Sequence, residues 1–125
     1  MEKITAKDAP EAIGPYSQAI KHNGLVFTAG QIAISPKTGQ MVEENIQDQA
    51  KQTMENLKAV LEAAGSSPDD AIKVNVFLKD MNDFQTMNEI YAQYFKNKPA
   101  RATIQAAKLP KNALIEMDVI AKVKD

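Results

Sequence analysis

The closing segment of this 125-residue chain restricts the fold more than any other stretch. In Leu114-Ile115-Glu116-Met117-Asp118-Val119-Ile120-Ala121, strand alternation puts Ile115, Met117, Val119 and Ala121 on one face. Leu114 and Ile120 point the other way, beside Glu116 and Asp118. A strand apolar on both faces is buried on both, so each side of its sheet needs cover. Upstream, Pro99-Ala100-Arg101-Ala102-Thr103-Ile104-Gln105 reads as a second strand, joined to the first through Leu109-Pro110-Lys111. These two apolar segments carry Arg101 and Glu116, and charges on core-like strands are costly unless paired or put to use.

The rest of the pattern supplies helices for only one side. Ala9 to Pro15, with two prolines and a glycine, reads as an ordered loop. Ser17–Ile20 and Leu25–Ile34 have strand composition, broken by a hairpin turn at His22-Asn23-Gly24. Ser35-Pro36-Lys37-Thr38-Gly39 is a second turn. From Asn45 to Gly65, Ile46, Ala50, Met54, Leu57, Val60, Leu61 and Ala64 recur at helical spacing, with Gly65 as the stop. Ser66 to Asp70 reads as the cap and first turn of a very short helix. Ile72, Val74, Val76 and Leu78 alternate with polar or aromatic neighbours as a half-buried strand. A second helix is expected from about Asp83 to Phe95, capped by Asn82 or Asp83, with Phe84, Met87, Ile90, Tyr91, Tyr94 and Phe95 as its apolar stripe. The order predicts an α+β domain spanning residues 1–125, with both helices on one sheet face. The second face is then expected to meet another subunit, and the groove between subunits to hold the side carrying Glu116.

Composition removes several function classes. The net charge of −1, without a basic run, lacks the electrostatic footprint of a dedicated nucleic-acid binder. There is no cysteine, which excludes disulfides, thiolate nucleophiles and cysteine-held metal centres. The single histidine, His22, sits in the predicted turn, so the usual nucleophile–base pairs cannot be assembled. No oxygen-rich calcium loop and no glycine-rich phosphate loop occurs, so neither a metal nor a phosphate cofactor is expected. The N-terminus lacks a signal-peptide pattern, and the longest uncharged run, His22 to Pro36, is too short and polar to span a bilayer. A cytoplasmic protein is expected.

Arg101, Glu116, Tyr16 and exposed backbone remain for chemistry. An arginine forks onto carboxylates, and a glutamate in the same cavity could orient or deprotonate a water. The alternative is a cross-strand ion pair that stabilises the sheet. Spacing leaves both open, because one residue of register slip moves Glu116 to the opposite face. Tyr16, in Ile13-Gly14-Pro15-Tyr16-Ser17, either approaches a site on a rigid loop or pins that loop onto the core.

Ile13-Gly14-Pro15-Tyr16-Ser17-Gln18, Ala29-Gly30-Gln31-Ile32, Pro99-Ala100-Arg101, Leu109-Pro110-Lys111 and Ile115-Glu116, with Ile120-Ala121 after it, resemble the Rid family of reactive-intermediate deaminases, of the RidA or YjgF type. The resemblance runs over essentially the whole chain in matching order. It implies a chorismate-mutase-like α+β fold, a mixed sheet of about six strands with two main helices on one face, assembled as a homotrimer with three inter-subunit clefts. It implies hydrolysis of 2-aminoacrylate-type enamines and their imines, such as 2-iminobutanoate and 2-iminopropanoate, to 2-keto acids and ammonia without a cofactor. These intermediates are released by pyridoxal-phosphate enzymes. By this resemblance Arg101 clamps the substrate carboxylate and Glu116 positions the attacking water, while Tyr16, Ala29, Gly30 and Thr103 line the substrate.

Two positions depart from the pattern. Relatives often read Arg-Ser-Cys-Val-Glu where this chain has Arg101-Ala102-Thr103-Ile104-Gln105, so Thr103 replaces a frequent cysteine. Ala29 replaces a small hydroxyl residue and removes one candidate hydrogen bond. Both bear on rate and substrate preference. A non-catalytic ligand-sensing or protein-interaction module of the same fold is the alternative they favour. RNA cleavage, ascribed to relatives, fits poorly with the near-neutral charge and the lack of a histidine pair.

Overall fold

The computed structural model describes residues 1–124. Six strands form one sheet: β1 (Glu2–Ile4), β2 (Ala19–His22), β3 (Leu25–Thr28), β4 (Ala71–Leu78), β5 (Ala100–Gln105) and β6 (Ile115–Lys122). Their spatial order is β1-β2-β3-β6-β4-β5, antiparallel throughout except for the parallel β4–β5 pair. Helices α1 (Ile46–Ala63) and α2 (Phe84–Tyr94) pack together over one face, as expected for an α+β layer. No helix among the described residues is long and apolar enough to cross a membrane.

Local chemistry explains the elements. The β2–β3 hairpin turns at Asn23 and Gly24, with φ of 52° and 78°, the two positive φ values of a type I′ turn. The Asn45 side chain accepts the Asp48 amide at 2.8 Å and caps α1. At its other end the Gly65 and Ser66 amides donate to Glu62 and Leu61 carbonyls, a Schellman stop. Met54, Leu57, Val60 and Leu61 of α1 pack against Val74, Val76 and Leu78 of β4 and the inward row Ile115, Met117, Val119 and Ala121 of β6. Burial of this set supplies the main drive to fold.

Three expectations require correction, and one strand is unexpected. The β3 strand ends at Thr28 instead of running to Ile34. Ile72 is not in the buried row; it is 47% exposed, because the β4–β6 register shifts between Ala71 and Lys73. Asp83, one of the two residues expected there, stands at the α2 cap position but makes no side-chain cap bond; a 3-10 turn, Met81–Asp83, leads into the helix, capped by Asp80 accepting the Asn82 amide. Strand β1 carries no sequence signal at three residues, and its pairing with β2 is tertiary.

The far side of the sheet is uncovered in the isolated chain. Register aligns Phe27 with Ile120, Asn75 with Asp118, and Phe77 with both Glu116 and Ile104. Phe27 and Ile104 are exposed, and the Asn75 amide donates to Asp118 at 2.8 Å on the same side.

Candidate functional site

The early end of β3 builds the site. Phe27 pairs with Ile120 and Gln31 bridges Met117, so four steps on one side oppose three on the other. That extra residue is a bulge, a device that re-aims the chain beside a site. Thr28 stabilises it: its hydroxyl accepts the Val119 amide at 2.9 Å. Past the bulge, Gln31 and Met117 exchange backbone hydrogen bonds at 2.8 and 3.0 Å. Between these anchors, Gly30 lies against Glu116.

The approach leaves no room for a side chain unless the Glu116 carboxyl moves aside. A Cβ on Gly30 would sit 2.6 Å from Glu116 Oε2 and 3.0 Å from its Cδ. Glu116 faces a cleft of about 290 Å³ that Tyr16, Gly30, Ile32, Ile34 and Lys111 also line. Burial, then the neighbouring Asp118 charge, raises the Glu116 pKa above the usual carboxylate value. A carboxyl shifted that way is a better proton acceptor when ionised than a surface glutamate.

Two devices hold the cleft walls. Gln18 fixes the incoming loop, accepting the Ala6 amide at 2.6 Å and donating to the Pro10 carbonyl at 2.7 Å. The loop then delivers Tyr16, half-exposed, with its ring beside Gly14. Tyr16 is therefore no core pin. On the other wall, Asn56 of α1 donates to the Ile32 and Ile34 carbonyls at 3.1 and 2.9 Å. Gln49, two turns earlier on the same face of α1, accepts the Leu114 amide at 2.9 Å just before β6.

Arg101 lies elsewhere. It pairs with Val74, whose side chain is buried under the helices, and its guanidinium sits 4.7 Å from the Tyr91 ring centroid and 5.5 Å from that of Phe84 on α2. Glu116 pairs with Phe77 on the opposite face. Three residues along the strand and two strands across put their backbones roughly 14 Å apart. A cross-strand Arg101–Glu116 ion pair within one chain is thereby excluded. The one salt bridge among the described residues is Lys124–Asp70 at 3.5 Å. Thr103 shares the Arg101 face, its hydroxyl buried without a partner, and Ala29 sits at the bulge, its amide bonded to the Gln18 carbonyl at 2.9 Å.

Of the residues singled out from sequence, Tyr16, Gly30 and Glu116 converge on one cleft, whereas Arg101 and Thr103 lie on the opposite, helix-covered side of the sheet. Sequence reading passed over Gln49, Asn56 and Lys111. The first two are polar residues on the buried face of α1, and their spacing with Thr53 and Val60 was the available signal. Lys111 stood in a quoted motif, but its place at the cleft follows from the turn at φ 54°.

Comparison with known proteins agrees with this architecture. The family model described as endoribonuclease L-PSP matches residues 6–123. A RutC family protein of Pyrococcus horikoshii is 57% identical over 121 residues, covering 96% of each chain. Reactive Intermediate Deaminase A of Arabidopsis thaliana, a chloroplastic protein, is 46% identical over 96% of this chain and 65% of its own length. Among solved structures, Escherichia coli TdcF with bound serine superposes with a TM-score of 0.94 at 43% identity, covering 99% of this chain and 100% of that one. With this coverage and identity, the chain belongs to the endoribonuclease L-PSP family, the Rid family of YjgF- and RutC-type proteins.

Proposed function

We propose that the chain is a deaminase of 2-imino acids, working as a homotrimer of single-domain subunits with its sites between subunits. The observation that carries this reading is the separation of Glu116 and Arg101 on opposite faces of one sheet. Neither group has an ionic partner among the described residues of its own chain, and each borders a concave surface. A second copy docked on the uncovered face, over Phe27, Phe77 and Ile104, brings the Arg101 of one subunit toward the Glu116 cleft of another. The serine held by the related TdcF structure supports a site for a small α-carboxylate.

The chemistry needs little else. In a 2-imino acid the C=N carbon is already electrophilic, so no covalent nucleophile is required. Arg101 grips the carboxylate through two parallel N–H bonds and orients the plane of the substrate. Glu116 accepts a hydrogen bond from a water and takes its proton as the oxygen bonds to the imine carbon. That proton passes to nitrogen to give a carbinolamine; its hydroxyl proton then moves through the Glu116 carboxylate to nitrogen as the C=O forms and the C–N bond breaks, and ammonia and the 2-keto acid leave. No cofactor enters the balance. Tyr16 and the Gly30 backbone line the reacting end.

Mixing subunits tests this reading. Arg101→Ala and Glu116→Gln variants, each inactive alone, are unfolded together and refolded. The substrate is an imine generated in place by a pyridoxal-phosphate dehydratase acting on serine or threonine. In a one-to-one mixture of cyclic trimers about a quarter of all sites hold both native side chains, so about a quarter of wild-type activity returns. No recovery from mixed trimers, with wild type active, overturns the inter-subunit site. A wild-type protein that binds 2-keto acids without accelerating imine loss supports the ligand-sensing alternative instead.

A further inference from the structure

Tyr91 is the buried aromatic group that the proposed mechanism leaves unused. It is 8% exposed, stacks on Phe95 at 4.7 Å, and presents its ring to the Arg101 guanidinium at 4.7 Å. Its hydroxyl is buried beside that guanidinium yet completes no hydrogen bond of good geometry. Such a group is rare in a native fold and calls for an explanation. The same helix stripe carries Phe84, one further ring against Arg101, and Asn88, whose side-chain oxygen is also buried without a partner. Across from them, the Thr103 hydroxyl is the third unpartnered buried atom. Three of the four such atoms among the described residues therefore belong to the α2 stripe and the β5 face that carry Arg101 and its aromatic neighbours.

Arg101 itself stands on an edge strand, bonded only to β4, with a long side chain and no ion pair among the described residues. A guanidinium left free would sample many rotamers and lose that freedom each time it bound a carboxylate. Aromatic faces beneath it remove that cost in advance.

We propose that Tyr91 is a positioning residue for Arg101, an inference that rests on the deaminase reading of this site. Its ring is the platform that holds the guanidinium fork flat and aimed outward. Its hydroxyl oxygen is the acceptor in reserve, taking an inward N–H of Arg101 when the outward pair grips a carboxylate. The residue acts through Arg101 and does not touch the reacting carbon. Because a carboxylate clamp holds substrate and transition state alike, its loss appears in KM and in product affinity more than in kcat.

The test compares Tyr91→Phe, Tyr91→Leu and Phe84→Leu with wild type in the coupled imine assay, with 2-oxobutanoate as competitive inhibitor. Thermal unfolding reports the folded fraction. Tyr91→Leu is expected to raise KM and Ki together by about tenfold, with kcat held within about twofold. Tyr91→Phe keeps the platform and is expected to raise both by about threefold, as is Phe84→Leu, which stays measurable if Tyr91→Leu does not fold. Unchanged KM and Ki in folded variants, or a fall in kcat alone, overturns the positioning role. A wild-type protein without imine hydrolysis removes the deaminase reading itself, so the two failures are distinguishable.

Discussion

Gly30→Ala isolates the contact on which the Glu116 cleft depends. Gly30 is outside the left-handed region, so its backbone accepts an L side chain without strain. The obstacle is Glu116: the new methyl would sit 2.6 Å from Oε2, and ordinary contact begins near 3.4 Å, so the carboxyl must retreat by about 0.8 Å. Pushing Glu116 off its rotamer costs about 0.5–1.5 kcal/mol. Removing a glycine from the unfolded chain returns about 0.4–1 kcal/mol. The two nearly cancel, so stability should change by less than about 1 kcal/mol. Catalysis has no such compensation, because a shift of this size at a reacting group costs about 10- to 100-fold in rate. The assays are urea unfolding and kcat/KM in the coupled imine reaction. Because both changes act on one carboxylate, Gly30→Ala should add almost no further loss in a Glu116→Gln background. Wild-type kcat/KM for a folded Gly30→Ala protein refutes the reasoning, as does a loss of stability above about 3 kcal/mol.

Two further perturbations follow from named contacts. Glu116 acts as the ionised form and its folded pKa is raised, so activity is expected to climb with pH through a midpoint above that of an ordinary glutamate. Asp118→Asn removes the second cause of the shift and moves this limb toward lower pH; an unmoved limb refutes the assignment to Glu116. For stability the sign is opposite: the native state binds the extra proton between the unfolded and folded pKa values, so Glu116 costs stability as pH rises through that window. Asn56→Ala strips two donors from the cleft wall and leaves the Ile34 carbonyl without a partner, a loss of about 1–2 kcal/mol in urea unfolding. A change below about 0.5 kcal/mol refutes the role of Asn56 in fixing that wall.

Local chemistry accounts for much of what was legible. The α1 helix and its Gly65 stop depend on residues within a few positions of each other, and the structure keeps both, with Asn45, read as the first helical residue, serving as the cap. The Asn23-Gly24 turn is equally local, since two consecutive positive φ values select those residue types. The alternation of β6 predicted the buried row from Ile115 to Ala121 and the mixed face with Glu116. Where reading failed, a distant partner decided the outcome. β3 stops early because the Thr28 hydroxyl takes an amide from β6, ninety-one residues away. Ile72 leaves the buried row because the β4–β6 ladder slips a residue at its end.

The sequence by itself determined the class of fold, the residue types available for chemistry and the two charges that needed an explanation. Periodicity and the cost of burying charge act on any chain carrying those residues, so they can be read without coordinates. Only the tertiary structure decided that Arg101 and Glu116 lie on opposite faces. Side-chain direction in a sheet alternates at every residue, so the answer turns on register, and register belongs to pairs of strands. The same is true of the close approach of Gly30 to Glu116, made by segments far apart in the chain, and of the aromatic platform beneath Arg101, made where α2 packs over β5.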